Sequence, residues 1–86
     1  MVNNINQQVI DFTAVYTNRP AGDIKDSTTL ASIGIISKDD TAEYMYELED
    51  NFRLIYEPGD ENGIDTVGNA VVFITNKLGG GGSVPR

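Results

Sequence analysis

The chain has no cysteine and no histidine among its 86 residues. That excludes disulfides, thiolate chemistry and zinc sites built on either residue. It also removes the commonest general base near neutral pH, and no nucleophile–base pair stands out. The protein is therefore read as a non-enzyme. Positive charge is scarce: six Lys and Arg stand against 13 Asp and Glu, a formal charge of −7. Nucleic acid is not an expected partner, because binding it rests on neutralising phosphates with basic side chains. Basic protein surfaces are, through electrostatic steering. No apolar run approaches the roughly 20 residues a membrane span needs, and the N-terminus does not read as a signal peptide. The expectation is a cytoplasmic, monomeric protein with no membrane span.

A chain of this length has room for one domain, with a thin core. The segment GGGGSVPR at 79–86 reads as a flexible linker ending in a protease-site remnant, which leaves residues 1–78 as the domain. Within it, Ile5, Val9, Phe12 and Tyr16 recur at spacings of four, three and four, one face of a helix. Asn3 or Asn4 can cap its start, and Asn18 with Pro20 stops it. Residues 17–36 are too long for a tight turn and too rich in Thr, Ser, Asp and Gly for a strand. They predict a long connection anchored by Ile24, Leu30 and Ile33.

A second helix is expected from about Lys38 to Phe52. Ala42, Met45, Leu48 and Phe52 form its predicted buried stripe. Asp39 and Asp40 lie in its first turn, where the helix dipole favours carboxylates. Glu43, Glu47 and Asp50 fall on or near its exposed face. Nine of the 13 acids lie between Asp39 and Glu61, so negative charge is concentrated on this helix and the stretch after it. By itself such a run reads as a solvated face. Asp39, Asp40 and Glu43 are oxygen ligands for a hard cation, but they lack the spacing of a calcium loop, and dipole compensation is the better reading.

Leu54, Ile55 and Tyr56 make a short apolar bridge. Pro58, Gly59 and Gly63 then break the chain, with a single helical or 3₁₀ turn expected between them. Asp65 or Thr66 caps a last helix on which Val67, Ala70 or Val71, Ile74 and Leu78 repeat. Val71, Val72 and Phe73 have strand propensity, but the periodic pattern outruns a usual strand. Tyr44, Tyr46 and Tyr56 are expected at the rim of the core, ring inside and hydroxyl wet. The sum is an all-α, small three- to four-helix bundle with a long first loop.

Three segments carry a family resemblance across residues 5–78. Leu30 to Ser37 reads LASIGIIS, Glu43 to Phe52 reads EYMYELEDNF, and Ile64 to Ile74 reads IDTVGNAVVFI. In this order the chain resembles the acyl carrier protein family, which includes peptidyl carrier domains. The resemblance implies a 4′-phosphopantetheine arm, esterified to a serine at the start of the second helix by a phosphopantetheinyl transferase. The cofactor then carries the chemistry, consistent with a chain lacking His and Cys. It implies Ser37 as the attachment residue. It also implies Glu43, Glu47, Asp50, Asp39 and Asp40 as the surface that meets basic biosynthetic enzymes.

The attachment motif departs from the family's Asp-Ser-Leu, reading Ile36-Ser37-Lys38-Asp39. Counted from Gly34, Ser37 falls on the attachment serine. Counted back from Glu43 and Phe52, Lys38 holds that place and Ser37 stands for the aspartate. Two functions follow from different classes. One is a carrier modified on Ser37. The other is a carrier-like adaptor without a prosthetic group, acting through its acidic helix, with Ser37 a plain helix cap.

Overall fold

The computed structural model describes residues 4–79, and all but the first residue of the predicted 79–86 tail lies outside them, as does Asn3. Three helices form an all-helical bundle: α1 (Ile5–Thr17), α2 (Lys38–Asn51) and α3 (Val67–Leu78). Two 3₁₀ turns, Ala21–Asp23 and Ala31–Ile33, sit in the first connection. Among the described residues there is no β-strand, and no helix is long and apolar enough to cross a membrane.

Each helix starts where a polar side chain can satisfy backbone N–H groups that have no carbonyl partner. Asn4 Oδ1 accepts from the Gln7 amide at the head of α1, and Asn18 closes that helix in the left-handed conformation at φ 58°. Thr66 rather than Asp65 caps α3. Its hydroxyl accepts from Asn69 N, and Asn69 Oδ1 accepts from Thr66 N and Asp65 N. Helix wins over strand at Val71–Phe73, inside α3.

The buried face of α1 differs from the expected stripe. Val9 is fully buried and Ile5 and Phe12 half-buried, but Tyr16 sits at the rim, while Thr13 and Ala14 are buried instead. Thr13 tolerates the core because its hydroxyl meets both the Val9 carbonyl and the Tyr44 hydroxyl, each at 2.7 Å. This corrects Tyr44: it is a core residue with no exposure, its hydroxyl dry and its pKa pushed up to about 12, chiefly by burial. Its ring lies 5.5 Å from Tyr16 and 6.0 Å from Phe12 by centroid, an aromatic seam between α1 and α2. Tyr46 and Tyr56 stay at the rim, packed edge-on against each other at 6.0 Å. Met45 and Leu48 are fully buried as predicted; Ala42 and Phe52 are only half-buried. Leu78, expected on the buried stripe of α3, is exposed.

The long first connection is pinned as its composition predicts, with Ile24, Leu30 and Ile33 all buried. It is also bonded to the start of α3. Leu30 N donates to Asp65 O, Val67 N to Thr28 O, and Gly68 N to Asp26 O. The approach is close: a Cβ on Gly68 would stand 3.0 Å from the Asp26 carbonyl oxygen, so a larger residue there requires the loop to give way by a few tenths of an ångström. No helical turn forms between Pro58 and Gly63. Gly59 at φ 104° and Gly63 at φ 80° leave right-handed helical space, and the segment runs as successive hydrogen-bonded turns.

Candidate functional site

The approach to α2 is set by two sharp changes of direction. The 3₁₀ turn at Ala31–Ile33 ends on Gly34, whose φ of 96° is open to glycine at little cost. Ile35 then plugs into the core, while Ile36 is 71% exposed. Ser37 follows, exposed, with extended backbone, and the helix begins at Lys38.

Ser37 and Asp40 form a reciprocal cap. The Ser37 hydroxyl accepts from Asp40 N at 3.0 Å, and the Asp40 carboxylate accepts from Ser37 N at 3.1 Å and Ile36 N at 3.3 Å. These backbone bonds, then the Ser37 side chain, hold the Asp40 carboxyl below its ordinary pKa. Asp40 is therefore occupied in holding the turn, unlike Asp39, Glu43, Glu47 and Asp50, whose carboxylates lie exposed along α2. Of the two counting registers, the backbone makes Ser37 the cap and Lys38 the first helical residue.

A phosphodiester on Ser37 would stand at the entrance of α2. The Ser37 hydroxyl is exposed, and the N–H groups of a first helical turn attract a phosphate. The Lys38 side chain is the neighbouring cation, and Asp39 and Asp40 are the opposing charges. Beside Ser37 lies a shallow depression of about 250 Å³ whose lining includes Leu30, Ala31, Ile35, Ile36 and Ile64. A wider one, on the outside of α1 by Asp11, Val15 and Arg19, is remote in sequence from this corner and offers no nucleophile. Among the described residues, no three carboxylates come together to hold a metal ion, so Asp39, Asp40 and Glu43 do not assemble a cation site.

A second charged cluster, at the far end of α2, escaped the sequence reading. Glu49 has no exposure, and its Oε1 accepts from Lys77 Nζ on α3 at 2.5 Å. Lys77 also donates to Asp60 Oδ2 at 2.8 Å and to the Ile55 carbonyl at 2.9 Å. Burial pushes the Glu49 carboxyl up to about 7; the Lys77 bond works against that rise and the Asp60 carboxylate adds to it. Burial works against charge on Asp60 and Lys77 as well. The bonds between them outweigh it, lowering the Asp60 pKa and raising that of Lys77. Nearby, the Tyr56 hydroxyl donates to Glu61 at 2.5 Å, which drives the phenol up to about 12 and Glu61 down. The missed signal was the four-residue step from Met45 to Glu49, which places the carboxylate on the buried stripe.

No protein-family model, curated protein or solved structure matches the chain.

Proposed function

We propose that the protein is a carrier that tethers acyl or aminoacyl thioesters on a 4′-phosphopantetheine arm at Ser37. It presents them to partner enzymes of fatty-acid, polyketide or peptide biosynthesis. The observation that carries this reading is the exposed Ser37 hydroxyl at the mouth of an acid-rich helix, reached through a long anchored connection in a three-helix bundle. In the loading step Ser37 Oγ attacks the pyrophosphate of coenzyme A. A phosphorus–oxygen bond forms, the nucleotide half leaves, and the serine proton passes to the transferase. The carrier needs no base of its own. Once attached, the arm supplies the thiol chemistry, and Glu43, Glu47, Asp50 and Asp39 steer basic enzymes toward it. On this reading the protein works as a cytoplasmic monomer.

Mass measurement after incubation with coenzyme A and a broad-specificity phosphopantetheinyl transferase tests the reading. The wild type gains one phosphopantetheinyl group and Ser37→Ala gains none. An unchanged wild-type mass, or a gain that survives in Ser37→Ala, overturns it.

The reciprocal bonding of Ser37 with Asp40, and Lys38 at the first helical position, favour a second reading: an adaptor without a prosthetic group. Its working surface is the same exposed acidic row on α2, and its expected signature is partner binding by unmodified protein.

A further inference from the structure

The stretch 54–63 between α2 and α3 has little apolar anchorage: Ile55 is 79% exposed, and Leu54 and Tyr56 are only half-buried. Leu54 and Tyr56 rest against the edge of the core, and Lys77 adds the charged tie that links the stretch to both α2 and α3. This one ammonium bonds Glu49 on α2, Asp60 on the connection and the Ile55 carbonyl, using all three of its hydrogens. The Phe73 ring lies 5.4 Å away. Two carboxylates share that single cation, and one of them, Glu49, is wholly buried, its Oε2 without a hydrogen-bond partner among the described residues. An ionised oxygen in that position is costly, whereas a neutral carboxyl at Glu49 leaves Lys77 and Asp60 as a balanced pair.

We propose that Glu49, Lys77 and Asp60 form a proton-operated latch on the 54–63 connection. With Glu49 protonated the connection is held down on α2 and α3. Loss of that proton leaves two negative charges on one ammonium and loosens the connection, with Ile55 and Tyr56 on it. Neither Ser37 nor the exposed acidic face of α2 takes part in the latch.

The groups that face Glu49 are Lys77 on α3 and Asp60 on the connection, with Tyr56 and its partner Glu61 next to them. Burial and the Asp60 charge set the direction: the Glu49 carboxyl lies near 7 in the folded protein against 4.5 when free. The folded state therefore binds more protons between those values. The stabilisation is complete in acid and is lost as pH rises through about 7.

Backbone amide exchange in the full chain, corrected for base catalysis, reads the latch. The Leu54, Asp60, Asn62 and Ile64 amides donate to carbonyls within this stretch or to Glu49. Their protection is expected to fall about tenfold between pH 6 and pH 8 in the wild type. In Glu49→Gln, which mimics the protonated carboxyl, protection stays level over the same range. Equal pH dependence in both proteins overturns the proposal. So does a Glu49 carboxyl ¹³C titration in the ordinary carboxylate range. Asp60→Asn gives an independent reading should Glu49→Gln fold poorly. Removing one of the two negative charges lowers the Glu49 titration midpoint, and an unmoved midpoint overturns the latch.

Discussion

At its first turn α2 is held by Ser37 and Asp40, three residues apart and both exposed. At its last turn it is held by Glu49, whose partner Lys77 lies 28 residues along the chain. The first arrangement agrees with the helix dipole, since Asp39 and Asp40 put negative charge at the positive end. The second opposes it: Glu49 and Asp50 crowd the negative end, and the last turn of α2 has no basic residue of its own. Lys77 supplies from α3 the cation that α2 lacks. One end is thus stabilised by groups its own sequence places there, and the other only when the bundle closes.

Three changes sharpen that contrast. The largest effect is expected from Lys77→Met, which leaves Glu49 buried without a cation. Urea unfolding at pH 8 should show a loss of about 3 kcal/mol, shrinking to about 1 kcal/mol at pH 5, where Glu49 carries its own proton. A loss that is the same at both pH values would mean that packing, not charge, dominates at this end. Ser37→Ala comes next, at about 1 kcal/mol, the usual worth of a helix cap. Because its bonds are exposed and local, that cost should be nearly the same at pH 6 and pH 8. The smallest is Arg53→Gly, with the opposite sign. Arg53 follows α2 at φ 64°, a conformation that strains a side-chain-bearing residue. Relieving it should raise the thermal midpoint by a few degrees, worth about 0.5 kcal/mol.

The same contrast explains what could be read from residue order. Caps and stops act over three or four residues, so Asn4, Asn18, Ser37 and Thr66 were visible as boundaries. The anchors Ile24, Leu30 and Ile33 were visible too, because isolated large apolar residues in a polar stretch have nowhere else to go. Thr13, Tyr44 and Glu49 were not. Each is a polar group inside the core, tolerated through a partner on another element, Tyr44 for Thr13 and Lys77 for Glu49. Periodicity assigns polar residues to the outside, and it has no way to see a partner 28 or 31 positions away. At the candidate site the local rule also misled in part. Asp40 looked like one more surface acid, but its carboxylate is spent on the Ser37 and Ile36 amides. The 58–63 segment failed for a simpler reason: Gly59 and Gly63 take positive φ and turn the chain out of the helical turn that its length allowed.

The bonds from residues 26–30 to 65–68 bear on how the molecule assembles. The first turn of α3 is sealed by amide and carbonyl groups of a loop that precedes it by some forty positions: Asp26 and Thr28 accept from Gly68 and Val67, and Leu30 donates to Asp65. An α3 that formed alone would present those amides to water, and a loop that ordered alone would have nothing to dock on. Ordering either one therefore favours ordering the other. Shortening that loop would strip the Val67 and Gly68 amides of their partners and leave the start of the final helix to its Thr66–Asn69 cap.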